Sequence, residues 1–351
     1  MLLVALFIGS AVVMNSAASA GEDAWFSMLV GCISGFLVFS IIAALAILHP
    51  GKSLIEILIF CFGSTAGKII GFIYVLYFVR LAGEISRNFS YYSNSVDLSE
   101  TPLLFIIICY MLLVVFIVKI GLEVIGRISE VLIPAIVLII AITLFSFFTD
   151  FHPDAFLPMF KNGVAPPAIS GLKIAMLPFG EGILALTILP NLNDRKKTFK
   201  VTSLSVLIAG GILFILMARD IMTLGVSVAA RNVFPSEKVF RLMFGIDIYP
   251  LLDINVVISG VIKASFILYA TAKSLAEIFS LKDFKIFVMP IAIYDIANAM
   301  SLHYSLFTQL YWPENVVPLL DMPILLIMPL IMLVISLIKK DNSKGQVQQL
   351  E

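Results

Sequence analysis

The chain has 351 residues with 23 basic and 23 acidic side chains, so its formal charge is zero. Hydrophobic residues make up 60% and charged residues only 13%, against about 25% charged in soluble domains, and mean hydropathy is +1.07. A soluble globular domain is excluded; the expectation is an all-α polytopic membrane protein, in which the placement of charge matters more than its sum.

Residues 1–20 are expected to form a first membrane helix interrupted at Gly9-Ser10, with Asn15 and Ser16 as further polar points. Ala18-Ser19-Ala20 resembles a signal-peptide cleavage site, but no Lys or Arg precedes the apolar run, so an uncleaved helix is expected. The run starts at Met1 without a polar lead-in, which predicts a first helix short at its cytoplasmic end. A second span, 26–48, stops at His49-Pro50-Gly51. Residues 54–62 are too few to cross and read as an interfacial helix under the bundle. The third span, 67–91, carries Tyr74, Tyr77, Arg80, Glu84 and Arg87. Arg80 and Glu84 share a face at i,i+4, and such charges in lipid face the bundle interior or a watery cavity. A structural ion pair and a switching role both remain open.

After a polar loop at 93–101, Pro102 opens the fourth span, to 118. Residues 119–127 read as a turn, and the fifth span is 129–148, with Pro134 as a kink candidate. The stretch 149–170, rich in Pro and aromatics, reads as an ordered re-entrant or surface segment. The sixth span, 172–191, contains Pro178-Phe179-Gly180-Glu181-Gly182. A helix in lipid must satisfy its own backbone, so this break is costly unless it is buried in protein or lines a cavity. Transporters use such breaks as binding sites; a simple kink is the alternative. Residues 193–197 with Lys200 form the most basic loop, and the seventh span, 201–224, carries Arg219-Asp220 near its outer end. Ser236 is expected to cap a short helix with Val239, Phe240 and Met243 on one side, a lid across the outer surface. The eighth span, 253–278, holds Lys263, Ser265 and Tyr269; the ninth, 284–307, holds Asp295 and Asn298. An aromatic loop at 309–318 leads to the tenth span, 319–338. The polar tail 339–351 is expected to be disordered.

This gives ten spans in one membrane domain over 1–338. Lys and Arg concentrate on the loops sharing a side with the N-terminus, placing both termini in the cytoplasm. Gly9 and Gly180 lie about half the chain apart, and five spans follow from each, counting the broken one. An odd number per half inverts the halves, so 1–149 and 172–338 read as inverted repeats with broken helices 1 and 6, the pattern that marks a secondary-transporter site. Half-helix N-termini suit a carboxylate and freed carbonyls suit an ammonium, so a zwitterionic amino acid would satisfy both. The candidate ligand-binding residues are Gly9, Ser10, Tyr77, Phe179, Gly180, Glu181, Ser265 and Tyr269. Glu181 would pair an ammonium, take up a proton, or tie its helix to its neighbours. Lys263 lies mid-span and would find a carboxylate, serve as a built-in cation or proton switch, or snorkel. Together with Arg80 and Glu84 it forms the candidate coupling group.

Cys32, Cys61 and Cys109 lie in apolar runs without CxxC spacing, which argues against a disulfide framework. His49, His152 and His303 form no HExxH, and no GxxxxGK[ST] is present, so no metal, cofactor or enzymatic activity is expected.

Five stretches, in order along the whole chain, resemble the B-type (permease-like) subunits of spore germinant receptors, a branch of the amino acid–polyamine–organocation transporter superfamily. They are Ala20-Gly21-Glu22-Asp23-Ala24-Trp25, Pro50-Gly51-Lys52-Ser53-Leu54-Ile55-Glu56, Gly121-Leu122-Glu123-Val124-Ile125-Gly126-Arg127, Pro178-Phe179-Gly180-Glu181, and Val261-Ile262-Lys263-Ala264-Ser265-Phe266-Ile267-Leu268-Tyr269-Ala270. The resemblance implies a ten-helix, leucine-transporter-like 5+5 fold in the spore inner membrane. Its implied partners are A-type and C-type subunits, membrane lipid and a small-molecule germinant, usually an amino acid, and not nucleic acid. Carried over by position, the germinant pocket would include Gly9, Tyr77, Gly180, Ser265 and Tyr269. A proton- or sodium-coupled amino acid transporter is the alternative function; an ion-conducting path is weaker, because no span shows a repeated polar face.

Overall fold

The computed structural model describes residues 1–9, 17–96, 98–144, 152–192, 197–242, 249–302 and 316–348. In chain order its helices are α1 (Leu2–Ile8), α2 (Ala24–Leu48), α3 (Leu54–Phe62), α4 (Ser64–Val96), α5 (Leu103–Ile120), α6 (Leu122–Thr143) and α7 (Ala165–Met176), followed by a 3₁₀ segment (Phe179–Thr187). Then come α8 (Thr198–Leu224), α9 (Val226–Arg231), α10 (Pro235–Leu242), α11 (Tyr249–Ile278), α12 (Lys285–Ser301), α13 (Val317–Met322), a π turn (Pro323–Ile327) and α14 (Met328–Gln348). Among the described residues, eight stretches are long and apolar enough to cross a bilayer. Their outward faces expose large apolar side chains, among them Leu37, Phe105, Phe116, Leu138 and Leu207. Water would not tolerate so much exposed apolar surface, and hydrocarbon accounts for it. The chain is an integral membrane protein.

α11 runs through the middle of the bundle and packs on α1, α4, α5, α6 and α12, while α2 packs on α7 and α8. Several boundaries fall where the sequence puts them. α2 ends at Leu48, before His49-Pro50-Gly51, and α3 occupies residues 54–62. A capping box starts α3: the Ser53 hydroxyl accepts from the Glu56 N–H, and the Glu56 carboxylate accepts from the Ser53 N–H. α3 can press on α4 because Gly67 lacks a side chain; a Cβ there would lie 2.7 Å from the Ile59 backbone.

Other boundaries shift, each for an identifiable reason. The expected turn at 119–127 shrinks to Gly121, whose φ of 131° needs no side chain to accommodate, and α6 begins at once at Leu122. Glu123 and Arg127 then pair at 2.6 Å on its exposed first turns. α7 starts at Ala165, not near 172, because Pro166 and Pro167 fall in its first turn, where N–H groups have no intrahelical partner to lose. The tenth span is broken by the π turn beginning at Pro323, which cannot donate to the ladder. α14 then continues to Gln348, where a disordered tail was expected; Lys339 secures its extension by donating to the carbonyls of Phe60 (2.7 Å) and Cys61 (3.1 Å).

Ser236 is not an N-cap. It lies inside α10, where its hydroxyl donates to Asp220 (2.9 Å) and accepts from Arg219 (2.6 Å). Arg219, fully buried, also pairs with Asp220 at 2.6 Å and donates to Thr143 at 2.6 Å, so one polar network ties α6, α8 and α10. Of the expected first and ninth spans, α1 has 7 described residues and α12 has 17. Ser10, Asn15, Ser16, Met243, His303, the core of the basic loop at 193–196 and most of the loop at 309–318 lie outside the described residues.

Candidate ligand chamber at the helix breaks

α1 ends at Ile8, and Gly9 takes a φ of 30°, a left-handed value that L side chains rarely adopt. The position is also occupied from outside. A Cβ on Gly9 would lie 2.2 Å from Cδ of Lys263 and 3.3 Å from its Nζ. The lysine stem, projecting from α11, therefore crosses the end of α1. Its Nζ reaches 2.7 Å from Glu181 Oε2, and both side chains are 2% exposed. Lys263 does not snorkel; it joins the break after α1 to the break after α7 through an enclosed ion pair.

The sequence around Glu181 explains why the carboxylate can sit there. α7 ends at Met176, Pro178 has no N–H to give, and the chain continues as a nine-residue 3₁₀ segment, well beyond the usual length for that form. Glycines flank Glu181 because both neighbouring sites are full. A Cβ on Gly180 would lie 2.8 Å from Leu325 of the π turn, and one on Gly182 would lie 2.4 Å from the Phe39 ring of α2. Phe179 is fully buried against Phe7 (ring centroids 5.6 Å) and fits over α2 only because Gly35 leaves room; a Cβ there would lie 2.4 Å from its ring.

A second charge cluster adjoins the first. In α4, Arg80 pairs with Glu84 and donates to both carboxylate oxygens of Asp321 in α13, each at 2.6 Å. Asp321 is buried, and it is the lone charged residue of the expected tenth span, a signal the sequence carries without its partner. Glu181 lies close enough to Arg80, Glu84 and Asp321 to interact with them through charge. Tyr77, one turn before Arg80, stacks under its guanidinium at 5.3 Å and feels the charges of Asp321 and Glu181. Its buried hydroxyl has no hydrogen-bonding partner among the described residues. Tyr74, another turn down, donates at 2.8 Å to the carbonyl of Ile324, within the π turn. Nothing in the sequence beyond Pro323 announces the π turn that makes this tie.

The remaining candidates divide. Ser265 is fully buried, with no partner for its hydroxyl among the described residues. Tyr269 turns away toward the start of α12: its ring meets Phe284 edge-on at 5.1 Å, with Lys273 over it at 6.0 Å. Among the described residues, two cavities open at opposite ends of the bundle. One, about 420 Å³, is lined by Tyr91, Ser95, Phe234, Glu237 and Arg241 among others. The other, about 230 Å³, lies between His49, Lys52, Leu189 and Thr198. Neither is lined by Glu181 or Lys263, so the ion pair is closed off from both.

Membrane helices broken around a buried carboxylate, with an opposing lysine, define a permease-like protein. Comparison with known proteins agrees. The family model described as "Spore germination protein" matches residues 1–304, and the chain belongs to that family. It is 28% identical to spore germination protein KB of Bacillus subtilis (strain 168), over 97% of this chain and 94% of that protein. It is 22% identical to spore germination protein YndE of the same organism, over 62% of this chain and 60% of that protein. The resemblance to permease-like germinant receptor subunits is thereby borne out.

Proposed function

We propose that this chain is the nutrient-sensing transmembrane subunit of a spore germination receptor and that it binds an amino acid germinant in the chamber between the helix breaks. The observation that carries the reading is the Lys263–Glu181 pair, buried where Gly9 and Gly180 interrupt their helices. The Tyr77 and Ser265 hydroxyls, without partners among the described residues, are the groups a ligand would satisfy. A zwitterion fits because freed N–H groups at the breaks favour its carboxylate and the carboxylates favour its ammonium. Gly9, Phe179, Gly180 and Glu181 form the broken-helix walls in this reading. Arg80, Glu84 and Lys263 set the balance between two states. Germinant must bind those states unequally, or it shifts nothing.

The reading includes a ten-helix, leucine-transporter-like arrangement with repeats over 1–149 and 172–338 and both termini in the cytoplasm. It places the chain in the spore inner membrane beside A-type and C-type subunits. The buried lysine also suits a proton- or sodium-coupled amino acid transporter, the second reading, which uptake into proteoliposomes separates from a sensor. The primary test is germination of spores carrying Glu181→Gln across an amino acid panel, with protein level measured by blot. A lost or right-shifted response at normal level supports the reading. An unchanged response at normal level removes Glu181 from the sensing site.

A further inference from the structure

Among the described residues, the charges around the helix breaks do not balance. Lys263 and Glu181 sum to zero whether or not a proton passes between them. Beside them, Arg80 holds a permanent positive charge and contacts two carboxylates, Glu84 and Asp321. Asp321 is buried, and Glu84 and Arg80 are 12% and 21% exposed in their side chains. The other elements add no further cation among those whose charge is felt by Glu84 and Asp321: α4 adds Tyr74 and Tyr77, and its Arg87, one turn beyond Glu84, donates to the Ala299 carbonyl at 3.5 Å; α11 adds Lys263, already paired, and the 3₁₀ segment adds Glu181. One uncompensated negative charge in so enclosed a place costs several kcal/mol.

We propose that the Arg80–Glu84–Asp321 cluster is a binding site for one exchangeable proton, carried by one of the two carboxyl groups that share Arg80. Tyr77 is the second observation pointing there: its ring lies against Arg80, and its buried hydroxyl, which feels the charges of Asp321 and Glu84, has no partner among the described residues. A metal ion fits less well. Among the described residues, no three His, Cys, Asp or Glu side chains are grouped to hold one, and Arg80 already takes up both oxygens of Asp321. This site lies in the proposed germinant chamber but does not depend on which germinant binds, or on whether one does.

The test needs no germinant. The full chain in lipid nanodiscs is examined by infrared difference spectroscopy for the carbonyl stretch of a protonated carboxyl group, in choline buffer at neutral pH. The background carries Asp295→Asn, because Asp295 is buried without a partner among the described residues and would give its own band. The expected result is a band of one carboxyl equivalent, lost in Asp321→Asn and also in Glu84→Gln, since each leaves one cation facing one carboxylate. Glu84→Gln keeps the Arg80–Asp321 pair and so serves if Asp321→Asn does not fold. A missing band, a band that survives both substitutions, or a band abolished by added sodium would each overturn the assignment. The last would put an alkali cation in the proton's place.

Discussion

Removing one half of the Lys263–Glu181 pair should damage the protein more than removing both. At 2.7 Å the Coulomb attraction is about 6 kcal/mol with an effective dielectric of about 20. Desolvation of the two ions costs several kcal/mol each, so the pair nets close to zero. Glu181→Gln leaves a buried ammonium with no counter-charge at 2.7 Å, and Lys263→Met leaves a buried carboxylate; each should lower the unfolding free energy by about 3–5 kcal/mol. The double variant has no unpaired charge and should fall short of the sum of the singles by at least about 2 kcal/mol. The assay is reversible unfolding in mixed micelles followed by circular dichroism, with all four proteins at matched pH. Additive single effects would refute the claim that these two side chains hold the breaks together.

Gly9→Ala should destabilise by about 2–4 kcal/mol, from the left-handed backbone and the clash 2.2 Å from Lys263 Cδ, as read by the thermal midpoint in detergent. Tyr74→Phe and Tyr77→Phe should behave oppositely. Tyr74→Phe loses about 1 kcal/mol with its bond to Ile324 and keeps the germination response, whereas Tyr77→Phe leaves stability unchanged or about 1 kcal/mol higher and loses the response. His49, at the end of α2, bonds Ser336 at 2.8 Å. Burial, with Lys52 and Lys340 nearby, holds its imidazole below the ordinary histidine value. The unfolded chain therefore takes up a proton first, so stability should be flat above pH of about 6.5 and fall below it. His49→Gln should flatten that slope in a series of thermal melts.

Much of the architecture is legible in the sequence, because lipid imposes long apolar runs and Pro or Gly ends them. The ends of α2, α3 and α11 fall at the expected residues for that reason. The break at Glu181 is legible too, since Pro and Gly around a carboxylate have few other uses inside a membrane. Partnership was harder to read. Lys263 and Glu181 are distant in the chain, and their pairing depends on α11 passing across the end of α1. Asp321 stood out as a lone charge but had no visible partner until α13 met α4. Ser236 reads as a local cap because capping follows from sequence spacing, whereas its bonds to Arg219 and Asp220 depend on tertiary packing. Tyr269 shares α11 with Ser265 one turn away yet points to Phe284, a side-chain direction that spacing alone does not settle.

The most direct measurement is a cryo-electron microscopy map of the receptor with its most active amino acid bound, compared with the map without it. The account predicts new density between the breaks at Gly9 and Gly180, within hydrogen-bonding distance of the Tyr77 or Ser265 hydroxyl and beside Glu181. Ligand density in either end cavity, with the chamber unchanged and the Lys263–Glu181 pair intact, would contradict it.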